Sequence, residues 1–152
     1  MRWLFLVEDL DLHLILTFFD KKLGPIPYLV YPSPHLEPKI LEKISKLMFQ
    51  EDEGFSIYAN PSFSTANYYF ELHSPLARGE KEMMMISFIF NPTVHDPERY
   101  HVLFKQFIRD LKQNQDIYFA FHQREVSFEK FQRNYDVLRE KIHLLYYEGL
   151  AI

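Results

Sequence analysis

The chain has 152 residues, about the length of a single domain, and it carries no cysteine, which excludes a disulfide framework, thiol catalysis and cysteine-ligated zinc. Its 17 lysines and arginines against 21 aspartates and glutamates leave a net charge of −4, which argues against the basic footprint of a nucleic-acid-binding protein. At 47% hydrophobic and 25% charged residues the composition is globular, and the length suffices for a core that needs no metal or disulfide staple.

The opening Met1-Arg2-Trp3-Leu4-Phe5-Leu6-Val7 is interrupted by Glu8, Asp9 and Asp11. It is therefore too short for a secretory signal, and no apolar run approaches the roughly 18 residues that cross a bilayer. The expected address is the cytoplasm, with membrane contact peripheral at most. Asn60-Pro61-Ser62 and Asn91-Pro92-Thr93 are not glycosylation acceptors, because proline occupies the middle position.

Leu12 to Phe19 is almost continuously apolar, β-branched or aromatic, as in a strand covered on both faces. Asp20-Lys21-Lys22-Leu23-Gly24-Pro25 supplies turn chemistry, and Ile26 to Tyr31 reads as the returning strand of a hairpin. Pro27 cannot donate to a ladder, which places that strand at a sheet edge. After the bend Pro32-Ser33-Pro34, a helix is predicted from Pro38 to Gln50, with Ile40, Leu41, Ile44, Leu47 and Met48 on one face. Three strands follow: Phe55–Ala59, Asn67–Leu72 and Met83–Phe90. The last is apolar throughout and belongs in the sheet centre beside the first strand.

Asp96-Pro97-Glu98 reads as a helix start, with Asp96 as cap and Pro97 in the first turn. Tyr100, Leu103, Phe104, Phe107, Ile108 and Leu111 form its buried face. The stretch 116–122 fits either period and is read as helix, since a sixth strand has no obvious partner. Ser127 caps a last helix in which Phe128, Phe131, Tyr135, Leu138, Ile142 and Leu145 recur at alternating spacings of three and four, and Gly149 is expected to end it. The order β-β-α-β-β-β-α-α predicts one domain over 1–152, an α+β sandwich on a five-stranded antiparallel-rich sheet. Residues 1–10 form a lead, helices fill 97–148, and the Pro27 and Phe55–Ala59 strands are the edges.

Catalytic templates fail in turn. Four glycines, Gly24, Gly54, Gly79 and Gly149, allow neither a dinucleotide nor a P-loop phosphate cradle. No H-E-x-x-H motif and no serine nucleophile elbow occurs. Seven histidines (His13, His35, His73, His95, His101, His122 and His143) are scattered over different elements without ligand spacing. Glu51, Asp52 and Glu53 read as a solvated loop. No metal, no cofactor and no enzymatic activity is expected.

What remains is surface. The 15 phenylalanines, 10 tyrosines and one tryptophan read first as a phenylalanine-rich core, and the rings left to spare are compatible with a partner surface. Lys39, Lys43 and Lys46 line the outer face of the first helix; a solvated helix face is the plainer reading, and with Lys21 and Lys22 they could form a positive patch. Val137, Leu144 and Tyr147 lie beside the main stripe of the last helix. Arg78, in the loop Ser74–Lys81, could reach a phosphate in trans, although a solvated hairpin arginine is the plainer reading.

The element order, with Leu16-Thr17-Phe18-Phe19-Asp20-Lys21-Lys22-Leu23-Gly24-Pro25 running into an edge strand and Ala77-Arg78-Gly79-Glu80-Lys81-Glu82-Met83 leading into the fifth, resembles the longin domains of the roadblock/longin superfamily, in particular archaeal longin-like proteins. The resemblance covers residues 11–148. It implies a non-catalytic platform or regulator for small Ras-like GTPases in vesicle trafficking or signalling, often dimeric or paired with a related longin or roadblock subunit. The expected partner-binding residues are Phe55, Ile57 and Tyr58 at the open edge, Lys39, Lys43 and Lys46 on the first helix, and Arg78. The alternative is a profilin- or PAS-like domain that senses a small ligand or binds protein.

Overall fold

The two most apolar runs of the sequence form the middle of the sheet. In the computed structural model, which describes residues 12–32, 36–50, 52–93 and 96–152, strands β1 (Leu12–Asp20) and β5 (Lys81–Phe90) pair antiparallel from Leu12↔Phe90 to Phe18↔Met84. Expectations placed on the lead 1–10, on Ser33-Pro34, on His35, on Glu51 and on His95 lie outside the described residues. Every residue from Leu12 to Phe18 and from Met84 to Phe90 is buried.

Around this pair stand β2 (Gly24–Tyr31) beside β1, β4 (Ser64–His73) beside β5, and β3 (Gly54–Ala59) outside β4. The resulting order is β2-β1-β5-β4-β3, all antiparallel. Three helices complete an α+β architecture: α1 (Pro38–Lys46), α2 (Arg99–Gln113) and α3 (Phe128–Ala151).

Strand alternation sorts the side chains into two cores. Leu14, Leu16, Phe70, Ile86 and Phe88 face α2 and α3, where they meet Tyr100, Phe104, Leu111, Leu138, Ile142 and Leu145. Ile15, Met85 and Ile89 face α1 and meet Ile44, Leu47, Met48 and Phe63. The β1–β2 turn is held by the Asp20 carboxylate, which accepts N–H bonds from Lys22 and Leu23 at 2.8 and 2.9 Å, and Gly24 takes φ 78°. Those two bonds hold the Asp20 carboxyl below its ordinary range. Between the pairs Leu16↔Leu29 and Thr17↔Pro27 the register slips by one, so Tyr28 bulges. Its hydroxyl donates to the Ala120 carbonyl at 2.6 Å, and burial pushes its pKa up to about 12.

Several boundaries differ from expectation, each for a local reason. The helix read over 38–50 is α-helical only to Lys46, and Leu47–Gln50 tightens into 3₁₀ geometry. Asp96 does not cap α2 through its side chain; its carbonyl accepts the Arg99 N–H at 3.3 Å, Asp96-Pro97-Glu98 forms a turn, and the helix begins at Arg99. Within 116–122 a 3₁₀ turn, Ile117–Phe121, buries Ile117, Ala120 and Phe121. Ser127 caps α3, its hydroxyl accepting the Lys130 N–H at 3.3 Å. Phe128, expected in the buried stripe, is 69% exposed.

Gly149 does not end α3, which runs on to Ala151. The glycine lies against the ring of buried Phe88, and a Cβ there would come within 2.5 Å of it. Glycine thus serves close helix–sheet approach. Gly149→Ala should lower the melting temperature, because overpacking costs about 1–3 kcal/mol whereas helix propensity returns at most about 1 kcal/mol. Calorimetry on the two proteins reads the sign.

Candidate functional site

β3 is paired on one side only. Its six residues run from Gly54↔Tyr69 to Ala59↔Ser64 against β4, and among the described residues no strand covers its outer side. A six-residue edge without proline leaves a row of backbone groups available to another chain.

Alternation gives this edge two different flanks. Phe55 turns toward α2, where its ring stacks on His101 at 4.5 Å with 6° between the planes. Ile57 shares that phase and is 43% exposed. Ser56 and Tyr58 turn toward α1. The Lys43 ammonium lies 5.6 Å from the Tyr58 ring centre, and Asn60 donates to the Tyr58 hydroxyl at 3.5 Å. These two donors, Asn60 first, draw the phenol below its ordinary pKa. Asn60 also shapes the turn into β4, accepting N–H bonds from Ser62 and Phe63 at 2.8 and 2.9 Å.

The structure therefore brings Phe55, Ile57, Tyr58 and Lys43 together. Lys39 is exposed on α1, and Lys46 pairs with Glu42 at 3.1 Å on the same helix. Arg78 stands apart, exposed in the β4–β5 turn beside Gly79 at φ 76°. At that end of the sheet the Lys21 ammonium donates to the Leu76 carbonyl at 3.3 Å. Glu53 binds Lys112 at 3.6 Å across the start of β3, and Asp52 is exposed.

Behind the edge runs a row of small polar side chains on the α1 face. Ser56 pairs in register with Asn67, and Asn67 with Ser87. Asn67 is 1% exposed and Ser87 fully buried, and among the described residues neither they nor the Ser56 hydroxyl has a hydrogen-bond partner. The sequence signal for this row was polar residues in the phase that Tyr69, Met85 and Ile89 share.

A second polar centre fastens the link between α2 and α3. His122 Nε2 lies 3.0 Å from Glu82 and Nδ1 lies 3.4 Å from Glu125, with His122 and Glu82 both buried. The Glu82 bond, ahead of the opposing effect of burial, raises the imidazole pKa above its ordinary value. With both ring nitrogens engaged, His122 is a clamp. Its signal was Glu82 itself, an acid in the core-facing phase of β5.

Among the described residues no cluster of histidine, aspartate and glutamate has the arrangement to hold a metal ion, and no helix is long and apolar enough to cross a membrane. A surface groove of about 820 Å³ opens between the end of β2 and α3, lined by Tyr31, Arg139, Glu140, His143, Leu144 and Tyr147 among others. Tyr31 and His143 meet there at 3.3 Å. Comparison with known proteins finds no family model that matches the chain and no match among curated proteins.

The His122–Glu82 pair gives stability a pH dependence of defined sign. Because the folded-state pKa is raised, its contribution is complete below the unfolded value of about 6.5 and is lost as pH rises through the folded pKa. Guanidinium unfolding from pH 6 to 9 should show that decline, and His122→Gln should flatten it. Glu82→Ala should cost about 1–3 kcal/mol by leaving the buried His122 Nε2 without its partner.

Proposed function

We propose that the protein is a non-catalytic interaction module, a platform or regulator for a small Ras-like GTPase in trafficking or signalling, that docks through the β3 edge. The observation that carries this reading is the inequality of the two sheet edges. β2 is interrupted by Pro25 and Pro27 and kinked by the Tyr28 bulge, the usual devices against edge pairing. β3 carries no such device, presents exposed Ile57, and is flanked by aromatic rings on both faces. Strand addition to such an edge draws affinity from main-chain hydrogen bonds and specificity from the flanking side chains.

The resemblance of the Asp20–Pro25 turn and of the strand leading from Ala77 to longin-like domains supplies the partner class, together with pairing to a second copy or a related longin or roadblock subunit. A cytoplasmic address, with membrane contact no more than peripheral, belongs to the same reading. A small-ligand sensor is the second reading, and the groove at Tyr31, His143 and Tyr147 is the observation that favours it.

Light scattering coupled to size exclusion, with GDP- or GTP-loaded small GTPases, tests the first reading. A mass gain in one nucleotide state is expected, and Ile57→Lys should abolish it while changing stability by no more than about 0.5–1 kcal/mol. Arg78→Ala should leave GTP turnover unchanged. A chain that ignores every GTPase but retains a metabolite through purification would favour the sensor.

A further inference from the structure

The edge is specific about what it can pair with. On the α1 face the row Ser87–Asn67–Ser56 ends inward at Ile15, which pairs with Ser87 and offers no hydrogen bond. Outward it ends at the open side of β3. Among the described residues neither amide atom of Asn67, at 1% exposure, nor the buried hydroxyls of Ser56 and Ser87 has a hydrogen-bond partner, as is also true of the Thr17, Ser45 and Thr65 hydroxyls on the α1 side. A polar row in register across three strands that reaches an open edge is continued by a polar side chain on any strand added there.

Two residues along the same face, Lys43 lies over the Tyr58 ring. Lys46, Lys81 and Lys112 each have a carboxylate within 4.0 Å. No such ion pair is formed by Lys43 among the described residues, as is true of most of the chain's lysines; what distinguishes Lys43 is its place over Tyr58 at the edge. A strand laid against β3 places its residue opposite Tyr58 beside this ammonium. On the other face its neighbours are Phe55, stacked on His101, and Ile57, which is 43% exposed.

We propose, resting on the edge reading above, that the β3 edge selects an acidic amphipathic strand from its partner. One face of that strand is apolar, against Phe55 and Ile57. The other carries a hydroxyl or amide opposite Ser56 and a carboxylate opposite Tyr58, beside Lys43.

A blocked heptapeptide, Val-Glu-Val-Thr-Val-Glu-Val, reads the same in either direction and so serves parallel or antiparallel addition. Titrated to millimolar concentration into ¹⁵N-labelled protein, it should shift β3 amides and bind about three- to tenfold more tightly than the probe with lysine in place of glutamate. Lys43→Glu should invert that order. Replacing the central threonine of the probe with valine should weaken binding, and Ser56→Ala should remove the difference. Equal binding of the acidic, basic and all-valine-centred probes would overturn the acidic-strand assignment while leaving the edge as a docking site. Absence of any β3 shift with every probe would overturn the edge reading and the assignment together.

Discussion

The pairing of β1 with β5 is the constraint on which the remaining structure depends. Seven consecutive residues of each strand are buried, and neither has a face that water can solvate. A pair of that kind has to be covered above and below, and the three helices are distributed accordingly. α2, α3 and the 3₁₀ turn between them cover the larger core, built on Leu14, Leu16, Ile86 and Phe88. α1 covers the smaller one, built on Ile15, Met85 and Ile89. The His122–Glu82 pair and the Tyr28–Ala120 bond then fix the helical link to the head of β5 and to the bulge in β2.

The unequal cover also explains where an interaction surface can arise. On the helix-rich side Phe55 is absorbed by His101 and Phe104, and Ile57, two residues on, is left exposed. On the other side the single short helix reaches β3 through Lys43 and Tyr58, and the sheet floor beneath includes hydroxyl and amide groups in place of a uniform apolar surface.

Much of the architecture was legible because local patterns and tertiary demands agreed. The unbroken runs of β1 and β5, the proline in β2, the apolar face of α1 and the Ser127 cap each mean in the fold what they mean in sequence. Disagreement came where a residue answered to a distant partner. Gly149 carries the signature of a helix stop, yet its reason is the Phe88 ring. Asp96 has the chemistry of a cap, but Pro97 and Glu98 continue the turn and its carbonyl does the bonding. The stretch 116–122 held two periods at once because its buried residues follow a tight 3₁₀ turn. At the edge, Phe55, Ile57 and Tyr58 were visible as strand residues. Lys43 joins them only because α1 crosses the sheet, and His101 only because α2 lies against β3, neither of which a one-dimensional pattern encodes.

The long reach of the central pairing bears on how the chain comes to be folded during synthesis. β1 emerges first but finds its inner neighbour only when residues 81–90 have followed. Its start is fastened later still, when the Tyr146 hydroxyl, 134 positions downstream, donates to the Leu12 carbonyl at 3.2 Å. Until then the most apolar strand has only its hairpin partner. Contacts so distant in sequence slow the search for the native state and prolong the exposure of sticky intermediates. On the ribosome, the prolines and bulge that blunt β2 therefore guard the outer of the hairpin's two edges while the inner side of β1 waits for β5.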